Sequence, residues 1–310
     1  LPRRIALDAG MHALAELADL LPRMKQRMRT CHLVEDVEYA RQGGVSLRLD
    51  VLQPLHPGPY PVLIYFHGGG FAIGSKRTHR ALAVAYAAQG YLVFNVDYRL
   101  APEYPFPAAL EDACAAWLWA AAHAADYGGD AQRMGLCGES AGANLALAVT
   151  LACCRPRSEA FAAPLFGRGL RPVLALLYCG FLQVSHPERY RAGVSAFAAG
   201  IARDAARSYL GNLSGVLQSG QALADPLCVL EGMSLAPDLP ALFIAAGLAD
   251  PVVADSQRLE RTLQRLGAPC SAHYYPGETH AFHVMFWREQ AMRCWRDSFA
   301  FLQQHLPVQV

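Results

Sequence analysis

The chain has 310 residues, with 27 Lys and Arg against 26 Asp and Glu, and is 53% hydrophobic but only 17% charged. Soluble domains usually carry about 25% charged residues, so this balance excludes disorder and implies a large apolar interior. A net charge of +1 offers a polyanion nothing to be drawn by, which excludes nucleic-acid binding by long-range attraction.

The N-terminus begins with Arg3 and Arg4, but Asp8, His12, Glu16 and Asp19 interrupt what would be the apolar part of a signal peptide. Residues 8–29 are expected to form an amphipathic helix with Leu14, Leu17 and Leu21 on one face, kinked at Pro22. Strand patterns at 34–40 and 45–52, separated by Gly43-Gly44, predict a hairpin. Short strands follow, the apolar runs 62–66 and 91–96 and then 133–137, 172–178, 241–246 and 271–275. Helices are expected between them at 78–89, 108–124, 141–153 and 255–266, and a last one carries Met292, Trp295, Phe299 and Leu302. In the fourth, Leu259, Leu263 and Leu266 make the buried stripe, and Arg258, Arg261 and Arg265 the wet face. The most apolar stretch, 113–125, is too short to span a membrane and is broken by His123, so no integral membrane association is expected.

Alternating strands and helices predict an α/β fold, a mostly parallel eight-stranded sheet flanked by helices. Residues 185–224 do not follow the alternation and look helical over 194–210. They are expected to form an insertion over the C-terminal edge of the sheet, where such folds bind ligands. Nine cysteines, without a CxxC pair and with Cys153 next to Cys154, fit neither a disulfide framework nor a zinc site. They suggest reduced, mostly buried thiols in a cytoplasmic protein.

Gly138-Glu-Ser-Ala-Gly142 matches G-x-S-x-G between a predicted strand and a predicted helix. In that context the turn strains the serine backbone and presents Ser140 Oγ at a helix N-terminus. His67-Gly-Gly-Gly-Phe71 follows another strand, and its glycines let backbone amides approach a substrate oxygen. The expected oxyanion donors are the N–H groups of Gly69, Gly70 and Ala141. HGGGF is not G-x-G-x-x-G, so a dinucleotide is not the ligand. A serine nucleophile needs a base and an acid that orients the base, which follow it in the order Asp or Glu, then His. Asp250 and His280 both lie in loops after strands. Asp225 and Asp255 are rivals for the acid, the second better explained as a helix N-cap. His273 lies within a strand, and His283 is expected to start the last helix.

HGGGF at 67–71, Asp97-Tyr-Arg-Leu-Ala-Pro-Glu103, GESAG at 138–142, Asp250-Pro251 and His280-Ala-Phe282 together resemble the hormone-sensitive-lipase family of α/β-hydrolases. The bacterial acetyl esterases are the most similar, notably over 275–282. The resemblance spans roughly 60–310. It implies Ser140, Asp250 and His280 as a catalytic triad, a purely structural role for 97–103, and a helical cap. The chain then divides into an N-terminal cap helix and lead-in (1–40), a hydrolase core in two parts (41–184 and 225–310) and a cap insertion (185–224). Phe181, Phe197, Tyr209 and Leu210 are candidate pocket-lining residues. The sequence departs from many relatives at Glu139, where they have Asp, and at Val252, where they have Leu. The implied function is hydrolysis of short- to medium-chain acyl esters, with a small acyl ester as partner and no cofactor or metal. An amidase, arylformamidase or thioesterase would use the same triad. A non-catalytic receptor on this fold, as plant gibberellin receptors are, would not need both Asp250 and His280. A homodimer through an edge strand or the last helix remains open.

Overall fold

The computed structural model describes residues 2–20, 22–191, 196–211, 223–234 and 238–308. Eight strands form one sheet: β1 (Cys31–Gln42), β2 (Val45–Pro54), β3 (Tyr60–Phe66), β4 (Leu92–Val96), β5 (Gly129–Glu139), β6 (Leu174–Tyr178), β7 (Ala241–Gly247) and β8 (Cys270–Tyr275). Their spatial order is β1-β2-β4-β3-β5-β6-β7-β8. β2 runs antiparallel to both β1 and β4, and the other pairings are parallel. The expected hairpin is therefore the antiparallel edge, and the mostly parallel eight-stranded sheet stands as expected.

The central strands are buried on both faces, which is why they are continuous apolar runs rather than alternations. All seven residues of β3 and all seven of β7 are buried. Helices α4 (Ala108–His123), α5 (Ala141–Cys154) and α9 (Val253–Leu266) cover one face. Helices α3 (Arg80–Ala87) and α10 (Glu289–His305) cover the other. Every residue of α5 is buried, so it is apolar all round, and it accounts for part of the unusual composition. Leu259, Leu263 and Leu266 are the buried stripe of α9. Arg258 and Arg265 do not simply face water. The first pairs with Glu231 at 2.6 Å, and the second donates to backbone carbonyls of Leu230, Glu231 and Met233.

Three local expectations are corrected. The N-terminal segment is two helices, α1 (Pro2–Leu20) and α2 (Pro22–Met28), and Leu17 is 61% exposed. Leu21 and the side chain of Leu14 lie outside the described residues. In α10, Trp295 and Leu302 are buried but Met292 is 45% exposed, because the buried face runs through Ala291, Cys294, Trp295 and Ser298 and leaves Met292 beside it. His283 does not begin α10. It lies in a separate 3₁₀ turn, Phe282–Val284, stacked on Tyr178. Two short helices that periodicity could not register, α6 (Ala163–Gly167) and α8 (Pro226–Glu231), complete the described set with α7 (Ala196–Leu210). The nine cysteines are free. Among the described residues, no helix is long and apolar enough to cross a membrane.

The segment between β6 and β7 is tied down by two buried carboxylates. Asp255, inside the first turn of α9 and fully buried, accepts from the amides of Leu182 and Gln183 at 2.9 and 3.1 Å, and from Tyr190 Oη and Arg189 at 2.7 Å. Asp225 accepts from the amides of Val184 and Ser185 at 2.6 and 3.1 Å. Val252, not Asp255, is the N-cap of α9, so the N-cap explanation is replaced by this anchoring role. Leaving such buried amides unpaired costs about 1–3 kcal/mol each, enough to hold the segment's entry and exit in place.

Candidate active site

The sheet gathers the chemistry at the C-terminal ends of its parallel strands. β5 ends at Glu139, and α5 begins at Ala141, so Ser140 is the whole turn between them, at φ 54° and ψ −113°. Such a turn needs small neighbours. A Cβ at Gly142 would lie 2.0 Å from the Phe66 carbonyl oxygen, inside any tolerable contact. Ser140 thus stands at the N-terminus of a buried fourteen-residue helix, whose dipole favours negative charge there.

Three predicted side chains converge. Ser140 Oγ lies 2.9 Å from His280 Nε2. His280 Nδ1 lies 2.9 and 3.0 Å from the two oxygens of Asp250. Asp250 is buried, and its Oδ1 also accepts from the amide of Val252 at 2.8 Å. A carboxylate beside Nδ1 makes that nitrogen the proton donor and leaves the Nε2 lone pair facing the serine. Burial works against the imidazolium, but the charge and hydrogen bond of Asp250 outweigh it and set the His280 pKa above its ordinary value. Asp225 and Asp255, the rival acids, are committed to the backbone amides already described.

His67-Gly-Gly-Gly-Phe71 crosses the mouth of the same site. Gly69 adopts φ +114°, and a Cβ there would meet the Ile73 carbonyl oxygen at 2.0 Å. Among the described residues, the amides of Gly69, Gly70 and Ala141 have no hydrogen-bond acceptor. Free donors beside a nucleophile can receive an oxyanion. The loop is braced from behind by the DYRLAPE segment. Tyr98 Oη donates to the His67 carbonyl at 2.7 Å, the Ala101 amide to the Phe71 carbonyl at 2.8 Å, and Asp97 Oδ1 accepts from the Lys76 amide at 2.6 Å. Arg99 in turn pairs with Asp112 and Glu111 at 2.8 Å.

A cavity of about 1210 Å³ opens over Ser140 and His280. Its walls are mainly apolar: Leu7 and Met11 from α1, Ile201, Ala202 and Ala205 from α7, and Phe181. Phe181 thus lines it as expected. Tyr209 and Leu210 do not. Both are buried, and Tyr209 stacks on Phe71 with ring centroids 3.6 Å apart, so it fastens α7 to the glycine loop, while Leu210 packs into the core. The side chain of Phe197 lies outside the described residues. Cys179 Sγ, Asp250 and His280 offer three ligand atoms within 4.8 Å of one another. Burial pushes the Cys179 thiol well up, so it sits beside the pair as a neutral neighbour.

Known proteins share this fold. A family model described as alpha/beta hydrolase fold matches residues 63–284. An acetyl esterase of Salmonella dublin is 32% identical over 243 residues, covering 77% of this chain and 70% of that protein. Among solved structures, the esterase LipW of Mycobacterium marinum superposes with a TM-score of 0.80 at 24% identity, covering 97% of this chain and 90% of that one. A structure titled bacterial heroin esterase gives 0.76 at 25% identity, covering 99% and 92%.

Proposed function

Since the chain belongs to the α/β-hydrolase family and is a carboxylic ester hydrolase, we propose that it cleaves short- to medium-chain acyl esters through an acyl-Ser140 intermediate. The observation that carries this reading is the unbroken line of hydrogen bonds from Ser140 through His280 to Asp250. His280 Nε2 takes the Ser140 proton as Oγ attacks the ester carbonyl carbon. Asp250 holds the imidazole in the tautomer that can accept it and stabilises the imidazolium. The tetrahedral oxyanion is received by the amides of Gly69, Gly70 and Ala141. His280 then gives the proton to the departing alkoxide, releasing the alcohol. Water, deprotonated by the same imidazole, attacks the acyl-serine and frees the acid. Helices α1 and α7 act in this reading as the cap that walls the cavity, whereas residues 31–40, expected with the cap, belong to strand β1 of the sheet. Because the cavity exceeds the several hundred Å³ of an ordinary ligand pocket, a short acyl group leaves space for a bulky alcohol portion.

Hydrolysis of p-nitrophenyl esters from acetate to palmitate tests the reading. Turnover is expected to be highest on the short and middle chains and poor on palmitate, with a fluorophosphonate label landing on Ser140. Label elsewhere would remove Ser140 from the chemistry. Ala202→Phe fills part of the α7 wall and is expected to lower kcat/KM for octanoate about tenfold relative to acetate. An unchanged ratio would place the acyl chain on another wall.

His280 must be neutral to accept a proton, and its pKa is raised. Activity should therefore fall as pH drops through a value above the ordinary histidine range of about 6.5. The acid limb of kcat/KM against pH measures this directly. A limb well below that range would contradict the Asp250 contact.

A further inference from the structure

We propose that His79 is a positioning residue that works as an imidazolium, its ion pair with Glu139 keeping the oxyanion loop and the nucleophile electrostatically balanced. On this account, loss of the His79 proton ends activity on the alkaline side. The proposal rests on the serine mechanism above and adds a second histidine to it.

The geometry begins with Glu139, which immediately precedes Ser140 and is 2% exposed. Its Oε1 accepts from the amide of Gly68, the residue before the first proposed oxyanion donor, and its Oε2 from Tyr65 Oη. The carboxylate therefore joins the nucleophile strand to the glycine loop. An unpaired carboxylate here would be a buried negative charge next to the place where the oxyanion forms, and it would oppose that charge at low dielectric. His79 supplies the compensation, with Nε2 3.0 Å from Glu139 Oε1.

The hydrogen bonds around His79 suit a charged ring. Nε2 faces a carboxylate, which can only accept. Nδ1 faces Thr78 Oγ1 at 2.8 Å and the Ser75 carbonyl at 3.3 Å. Thr78 spends its own hydroxyl proton on that carbonyl, at 2.8 Å, so it presents lone pairs to the ring. With the hydroxyl turned to that carbonyl, both ring nitrogens meet acceptors, the pattern that an imidazolium satisfies. The electrostatics agree. Burial disfavours the charged ring, but the Glu139 charge and hydrogen bond outweigh it and raise the His79 pKa. Burial likewise opposes the Glu139 anion, and His79 overcomes it to hold the carboxyl below its usual range.

The other titratable groups facing this pair do not change charge on the alkaline side. Burial, helped by the His79 charge, holds His67 down at about 3, and burial holds His283 at about 4, so both are neutral. Burial pushes the Tyr65 and Tyr98 phenols well above their ordinary value. Burial lifts Asp97 to about 6, so it ionises on the acid side. His280 becomes active, not inactive, as it loses its proton. A raised pKa makes the His79 contribution complete at low pH and lost as pH rises through it, and His79 lines the cavity, so protons reach it from solvent.

The test is kcat/KM against pH by pH-stat, with the reactive serine counted by a fluorophosphonate so that only folded sites enter. His79→Gln is expected to lose about ten- to a hundredfold at neutral pH, somewhat less than the 10²–10³ of losing a whole oxyanion donor. It should also lose the alkaline limb. The double variant His79→Gln/Glu139→Gln, which carries no excess charge, should recover most of that loss, and Glu139→Asp should keep the alkaline limb. A purely structural His79 would lower Tm while counted sites kept the wild-type profile, and that result overturns the proposal. If His79→Gln does not fold, histidine ¹⁵N NMR of the unsubstituted protein decides: a neutral ring bound to Glu139 at neutral pH overturns it. A wild type that hydrolyses esters without labelling at Ser140 would sink the serine mechanism itself, whereas labelling with an unmoved alkaline limb would sink only the role of His79.

Discussion

Replacing Ser140 with alanine should lower kcat by about 10⁴- to 10⁶-fold and leave Tm unchanged, because removing the nucleophile of a triad abolishes what the other members do as a unit. The fold has little reason to respond. Ser140 takes φ 54° because of where β5 and α5 meet, not because of its hydroxyl, and alanine there carries the same Cβ. The hydroxyl is 2.9 Å from His280 and supports no backbone contact that helix α5 needs. Residual hydrolysis in the variant should come from the amides of Gly69, Gly70 and Ala141 and from substrate binding. Active-site titration alongside kcat checks the result against trace wild type. Ordinary turnover in a folded Ser140→Ala protein would remove the serine mechanism altogether.

Asp250→Asn should cost about 10⁴ in kcat with little change in KM, and the hydrogen bonds around the carboxylate explain why. Oδ1 accepts from the Val252 amide at 2.8 Å and is matched only by an oxygen. The asparagine carbonyl must therefore take that place, turning its NH₂ group toward His280 Nδ1. Nδ1 then has to accept, and the ring proton moves to Nε2, where it faces Ser140 Oγ and cannot receive the serine proton. The base is present but in the wrong tautomer. The expected kinetic signature is a large fall in kcat and kcat/KM together, as for an interaction made in the transition state. A loss below about tenfold would mean that Asp250 does not orient the base, although it lies against it.

Much of this was legible in the chain itself. Apolar strands buried on both faces leave continuous hydrophobic runs, so β3, β4, β6 and β7 could be placed to within a few residues, and the hairpin carried its turn in Gly43-Gly44. Glycines at 138 and 142 are needed because the Phe66 carbonyl and the helix backbone leave no space for a Cβ. That is a local demand, which a five-residue pattern can express. The family resemblance added the acid and the base, and the structure brings both to the serine.

What lay beyond the sequence depends on side chains far apart in it. Nothing around Asp255 or Asp225 says that each closes on amides about 40 to 73 residues away. Those contacts exist only once β6 and β7 lie side by side. Tyr209 and Leu210 had the right chemistry for a pocket wall, but stacking on Phe71 gives Tyr209 to the glycine loop, and Leu210 packs into the core. The pairing of His79 with Glu139 has no sequence signature, since a histidine ahead of a helix and a glutamate in a motif are each common alone. Their meeting follows from the parallel packing of β3 beside β5, which brings the loops after the two strands to one edge of the sheet. Periodicity and motif spacing report the needs of a local backbone. Tertiary structure alone decides which buried charge answers which, because that is a matter of distance in space at low dielectric.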